Sequence, residues 1–272
     1  MPIKKGLGDA LRKGKEIGCT AVQVFTSSPQ TWHTPPITPD KVADFQKAQK
    51  ETGITEVVTH DSYLINLCAP DREMREKSIL GLANELNRSA TYGIKYVVSH
   101  IGAHVGAGVE EALKIAAESM KIVLEHSHED VMLLMETTAG QGSALNSRFE
   151  ELAAFLDLMK GHERLGVCLD TCHIFVAGYD IRTEKGFTKT FDEFNRLIGF
   201  DRLKAVHAND SKKGLGSKVD RHEHIGKGEI GAKAFDLLVN DPRFERIPII
   251  VETPESETMH AENVRVLQDL RR

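Results

Sequence analysis

Nine side chains in this sequence could share one piece of chemistry: His60, His100, Glu136, Asp170, His173, His207, Asp220, His222 and Glu252. Imidazole nitrogens and carboxylate oxygens are donors that zinc accepts in four- or five-coordinate sites. Nine donors exceed what one ion uses, and a carboxylate can bridge two ions, so the number points to a cluster of two or three. Asp170-x-x-His173 sets two donors one turn apart at a strand-to-helix junction, and Asp220-x-His222 sets two on one side of an extended segment. Clustered metal ions lower the pKa of a shared water and hold both the attacking and leaving oxygens of a phosphoryl transfer, which makes hydrolysis the expected reaction. Taken singly, each histidine is better explained as a hydrogen-bonded core or surface residue than as a ligand, and a strand-end carboxylate is often a helix cap. Taken together, six of the nine close six successive apolar runs, which unrelated single roles do not produce.

Those runs are EVVTH ending at His60, YVVSH at His100, VMLLME at Glu136, GVCLD at Asp170, LKAVH at His207 and IPIIVE at Glu252; TAVQVF at residues 20–25 precedes them and ends in Phe25. Continuous Val/Ile/Leu runs are the mark of parallel strands buried on both faces. Between them, residues 9–17, 39–52, 71–92, 108–126, 147–160, 191–198, 232–239 and 260–270 carry the spacing of amphipathic helices. Alternating strands and helices predict right-handed crossovers and a TIM (β/α)8-type barrel, one domain over residues 1–272, with polar residues converging at the C-terminal ends of the strands. The longest irregular stretch, residues 209–231, is rich in Gly, Lys and His, and a loop of that length in a barrel is usually functional. One strand is lacking: residues 1–8 offer at most a stub ahead of the first helix. The first strand is therefore expected to be missing or truncated, as it would be if Met1 were an internal methionine of a longer reading frame. A chain that starts there would be less stable and would associate through the two open strand edges.

Composition narrows the class. With 40% hydrophobic and 28% charged residues in 272, the chain can build a full core under a hydrophilic surface. No run of about 18 apolar residues suggests a membrane span, and the basic N-terminus lacks the apolar region of a signal peptide. Cys19, Cys68, Cys168 and Cys172 are expected to be reduced. Cys168 and Cys172 flank Asp170, but buried thiols explain them better than metal ligation. A net charge of −5 argues weakly against nucleic acid, whereas a local basic rim from Lys212, Lys213, Lys218, Arg221 and Lys227 would serve for phosphate contacts. Of the other histidines, His33, His126, His128, His162 and His260 are assigned to the surface, and His104 and His224 to places behind the donors.

The segments HDSYLINL (60–67), ETTAGQGS (136–143), LDTCHIFVAGYD (169–180), HANDSK (207–212), DRHEHIGKGEIG (220–231) and VETP (251–254) resemble the signature blocks of endonuclease IV, the zinc-dependent apurinic/apyrimidinic endonucleases of base-excision repair. The resemblance runs from about residue 14 to the C-terminus, and DTCH-x-x-x-AGYD with DRH is its most specific part. It implies three zinc ions on a β/α barrel. His60, His100 and Glu136 would hold one; Glu136, Asp170, His207 and Glu252 a second, with Glu136 bridging; His173, Asp220 and His222 the third. It also implies attack on the phosphate 5′ to an abasic site in double-stranded DNA, leaving a 3′-hydroxyl and a 5′-deoxyribose phosphate, with Glu136 orienting the attacking water. Tyr63 and Leu64 stand where the family inserts side chains into the minor groove, beside a flipped nucleotide that costs least to expose where a base is already absent. Two features depart from the pattern: the family's first strand is not found, and the loop after residue 25 reads SSPQTW, with Gln30 in place of an arginine and Trp32 retained.

A rival reading is a metal-dependent sugar isomerase or epimerase on the same kind of barrel. It accounts for the strand-end donors but has no need of His173, Asp220 and His222. A third is a metal-binding relic without turnover. The nuclease reading places a monomer in the cytoplasm, at the nucleoid of a prokaryote.

Overall fold

The computed structural model describes residues 5–272. It divides into two compact units, one of residues up to 135 with 155–166, the other of residues 136–154 with 167–272. The first unit opens with α1 (Leu7–Glu16), β1 (Ala21–Val24), α2 (Pro39–Thr52), β2 (Glu56–His60), α3 (Arg72–Tyr92), β3 (Tyr96–Ser99) and α4 (Val109–Glu125), and takes in β4 (Met132–Glu136) up to Met135. Its strands are parallel and lie in the order β1-β2-β3-β4. Val22, Val24, Val57, Val58, Val97, Val98, Leu133 and Leu134 are all buried, as strands covered on both faces require. Beneath β1, Leu7, Leu11, Phe45, Ala48 and Ile54 pack into one apolar cluster, in which Phe45 is fully enclosed; truncating such a phenylalanine costs about 3–5 kcal/mol. Asp71 caps α3 by accepting from the Met74 N–H at 2.7 Å. His60 pairs with Val98, so His100, two residues further along, faces the same side as His60.

The second unit takes up at Glu136 and contains the start of α5 (Phe149–Leu158), most of β5 (Leu165–Asp170), α6 (Thr171–Ala177), α7 (Glu184–Leu197), β6 (Leu203–His207), β7 (Asp210–Ser211), β8 (His222–Glu223), α8 (Ala232–Asn240), β9 (Ile249–Ile250) and α9 (His260–Leu270). Strands β5, β6 and β9 are parallel neighbours in that order, while β7 and β8 form a separate antiparallel pair. The β5–β6 register shifts after Val167, with the extra residue in β6, and the shift brings His207 level with Asp170. A bulge of this kind re-aims side chains at the end of a strand. No helix among the described residues is long and apolar enough to cross a membrane.

Most of the expected helices appear within two residues of their predicted ends. The exception in length is α7, which begins at Glu184 instead of 191. Gly186 in its first turn is there for space: a Cβ would lie 2.4 Å from the Asp180 carbonyl oxygen. The stretch 209–231 is irregular apart from the β7–β8 pair. The expected first-strand stub falls partly on residues 1–4, outside the described residues, and Leu7 and Gly8 already belong to α1.

One charged residue sits poorly in this fold. Glu85 on α3 is 7% exposed; its Oε2 accepts from the Thr26 hydroxyl at 2.7 Å, while Oε1 is buried without a hydrogen bond. Burial, with Asp61 adding to it, pushes its carboxyl from 4.5 up to about 7 against the opposing pull of Thr26 and Arg88. The folded chain thus holds this proton more tightly than the unfolded chain. The resulting stability is complete below about pH 4.5 and lost as pH rises through 7, a change on the order of 3 kcal/mol. Glu85→Gln should remove that slope, so its melting temperature should gain on the parent's between pH 5 and 8; parallel curves would refute the assignment.

Candidate metal centre

The geometry of the donors follows from how the second unit folds locally. Glu136 ends β4, Asp170 ends β5, His207 ends β6, and Glu252 follows β9. Their ligand atoms lie within 4.8 Å of one another. His207 Nδ1 is 2.9 Å from Glu136 Oε1 and 3.0 Å from Glu252 Oε2. Glu136 and Asp170 are fully buried. Asp170 does two jobs at once: Oδ1 caps α6 by accepting from the His173 N–H at 2.9 Å, while Oδ2 faces the histidines. Capping with one oxygen leaves the other free to act as a metal donor, so the two roles, alternatives on sequence grounds, are compatible in one carboxylate.

A second set, His173, Asp220 and His222, also gathers its ligand atoms within 4.8 Å. His173 comes from the first turn of α6, Asp220 from the approach to β8 and His222 from its first residue. His173 Nδ1 donates to the Thr137 carbonyl at 2.8 Å, and His222 Nδ1 to the Glu252 carbonyl at 3.0 Å. Each ring thereby turns Nε2 inward, as metal-ligating histidines do. His222 Nε2 is buried and makes no hydrogen bond, although Asp220 Oδ1 is 3.3 Å away and Asp170 Oδ2 3.6 Å. A buried, unbonded imidazole nitrogen facing two carboxylates fits a divalent cation that accepts nitrogen and oxygen.

Electrostatics agrees. Burial works to lower His173, yet Asp170, Asp220 and Glu136 hold it well above its ordinary value. His207 is likewise held well above its ordinary value against burial, with the Glu252 and Glu136 carboxylates both raising it. The carboxylates thus draw positive charge to the centre, and a metal ion would meet the same demand. Cys172 Sγ lies within 4.8 Å of donors on Asp170 and His222, but burial pushes its thiol up to about 12 and that of Cys168 to about 11, which disfavours the thiolate that a metal would take.

In the first unit, His60 and His100 stand at the ends of β2 and β3 with ring centroids 5.7 Å apart. His60 repeats the pattern of an Nδ1 bonded to a carbonyl, that of Asp61, at 3.1 Å. Tyr63 is 66% exposed, which excludes core packing, and its ring lies 6.2 Å from that of His60; Leu64 is half-buried. Lys212, Lys213, Lys218, Arg221 and Lys227 are all at the surface. His260 is buried, not superficial, with Nε2 3.2 Å from the Thr253 carbonyl oxygen. His224 bonds Asn263 and His104 the Gly106 N–H, so neither supports a donor directly. All four cysteines are free.

Alternating strands and helices with metal-ligand donors at the strand ends define a metal-dependent TIM-barrel enzyme, and a family described as xylose isomerase-like TIM barrel matches residues 11–270. A relative named probable endonuclease 4 from Chloroflexus aurantiacus is 49% identical over 273 residues, covering 99% of this chain and 96% of its own. An apurinic-apyrimidinic endonuclease of Caenorhabditis elegans is 42% identical over 93% of this chain and 64% of its own. The crystal structure of endonuclease IV from Thermus thermophilus superposes with a TM-score of 0.87 at 36% identity, over 99% of this chain and 95% of that one. The chain belongs to the endonuclease IV family, and it is accordingly a hydrolase on a TIM barrel.

Two residues that sequence reasoning passed over hold the centre in place. Asn209 donates from Nδ2 to Asp170 Oδ2 at 2.7 Å and accepts the Glu252 N–H at 2.7 Å, so one amide orients two donor residues. Asp210, fully buried, accepts the backbone N–H groups of Ser211, Gly228, Ile230 and Gly231 at 2.7–3.2 Å. It closes the loop that carries Asp220 and His222. Asn209 and Asp210 both fall in the HANDSK block, two and three residues after the strand-end His207. Asp210→Asn would turn an amide donor toward those N–H groups. It should lower stability by about 2–4 kcal/mol, read from the urea midpoint; a loss below about 0.5 kcal/mol would show that the loop is held by other means.

Proposed function

We propose that the chain is a DNA-repair nuclease that hydrolyses the phosphodiester bond 5′ to abasic sites in duplex DNA, using three zinc ions and leaving a 3′-hydroxyl and a 5′-deoxyribose phosphate. The observation that carries this reading is the second donor set, His173, Asp220 and His222, beside the carboxylate-rich first. Two donor sets in one unit exceed the needs of a single-ion site. In this reading His60 and His100 share Glu136 as the remaining set. The relatives support it by name, one as an apurinic-apyrimidinic endonuclease.

Zinc bound at these donors supplies an acidified water and positive charge for the attacking and leaving oxygens. The chain supplies the rest. Glu136, buried and fixed through His207, orients the attacking water and accepts its proton. The carbonyls of Thr137 and Glu252 keep His173 and His222 in one tautomer. Lys212, Lys218 and Arg221 contact backbone phosphates, and Tyr63 and Leu64 border the abasic nucleotide. The chain works as a monomer, in the cytoplasm at the DNA.

The rival isomerase reading has no use for the second donor set, and His222 separates the two. On a duplex with one tetrahydrofuran abasic analogue, the zinc-loaded protein should make a single cut 5′ to the lesion. His222→Ala should lower that activity about a hundredfold or more and reduce bound zinc, measured by mass spectrometry. An unchanged cutting rate in H222A, or no incision by the parent chain, would sink the proposal.

A further inference from the structure

The segment between β1 and α2, residues 25–38, has no regular structure, yet one side chain ties down both of its ends. Arg88 on α3, 8% exposed, donates from Nε to Thr26 Oγ1 at 2.8 Å and from Nη2 to the Thr26 carbonyl at 2.8 Å. Its Nη1 reaches the Pro35 carbonyl at 2.7 Å. A planar guanidinium fork can span two such points; a lysine ammonium on a flexible stem cannot hold both in the same way. Residues one turn back on α3 add to the hold. Asn84 Nδ2 donates to Thr34 Oγ1 at 3.0 Å, and Glu85 accepts from the Thr26 hydroxyl. In the middle of the loop, the Pro29 carbonyl accepts from Ser62 Oγ at 2.8 Å and from the Tyr63 N–H at 3.1 Å.

The loop so held presents aromatic surface beside a candidate metal ligand. Trp32 is 39% exposed and rests on α3 at Gly81, where a Cβ would lie 3.2 Å from the indole. Tyr63 stands against both Phe25, at 5.8 Å between ring centroids, and His60. A polymer whose phosphodiester reaches His60 must run past this surface. Ordering an irregular loop costs conformational entropy for every residue fixed. A loop already fixed in the free protein does not exact that cost when substrate binds.

We propose that Arg88 is the positioning residue of a preformed substrate-binding arm, holding residues 26–35 so that Trp32 and Tyr63 meet the sugar–phosphate chain flanking the scissile bond. The inference rests on the nuclease reading for its substrate but not for its clamp. Trp32 is the sole tryptophan, so its fluorescence reports the arm directly and without catalysis.

The test compares the zinc-loaded full chain with Arg88→Lys and with Asn84→Ala, the latter breaking a tie nearer the surface. In R88K, KM for the abasic duplex should rise about tenfold while kcat stays within about twofold. Zinc content should hold, and acrylamide should quench Trp32 more strongly. N84A should move KM and quenching in the same direction by less. Unchanged quenching would overturn the clamp, and looser quenching at constant KM would overturn the arm's part in binding. A fall in kcat or zinc content at constant KM would reduce Arg88 to a structural role. If the parent chain does not incise at all, the nuclease reading fails by itself. Anisotropy of a labelled duplex then decides the arm: weaker binding by R88K supports it, and equal binding overturns it.

Discussion

Burying two carboxylates side by side is the constraint on which the second unit depends. Glu136 and Asp170 are fully enclosed, and charge taken out of water is tolerated only when it is paired or ligates metal. Every neighbour answers that demand. His207 lies on Glu136, Asn209 on Asp170, and the α6 N-terminus on the other Asp170 oxygen, where its unsatisfied N–H groups favour an anion. Even so, the histidines are drawn above their ordinary range, which marks a centre still short of positive charge. A divalent cation would meet that shortage by taking the place of the His207–Glu136 contact, while Asn209 and the backbone carbonyls hold the donor residues from behind.

The strand donors were legible because parallel-strand geometry is local. A buried run with a polar residue at its end predicts where that residue points, and Asp170-x-x-His173 predicts a helix starting on a strand end. What escaped is non-local. The β5–β6 register shift that levels His207 with Asp170 depends on the pairing of two strands, and nothing in LKAVH announces it. Asn209 and Asp210 read as loop polars, since their partners lie up to 43 residues away along the chain. The first turn of α7 escaped because Gly186 meets a packing requirement against Asp180 that a single sequence does not display. His260 looked superficial because α9 begins there, and only the fold shows Thr253 beneath it.

A limit on strand geometry explains why function sits in irregular segments. Successive side chains on a strand alternate faces, so each strand end offers about one donor to a common centre. In the second unit Glu136, Asp170, His207 and Glu252 come from strand ends in this way, which suffices for the one- or two-ion chemistry of many β/α enzymes. A larger cluster would have to recruit from elsewhere, and the second donor set of this chain comes from the first turn of α6, the approach to β8 and the start of β8. Such donors need separate anchoring, because no parallel ladder fixes them. Asp210 meets that need with four backbone N–H bonds, and Asn263 adds another by accepting the Ile225 N–H at 2.8 Å. The strands fix the class of enzyme, and on the proposed reading the anchored loop, by carrying donors that a single-ion site has no use for, separates a nuclease from an isomerase on the same scaffold.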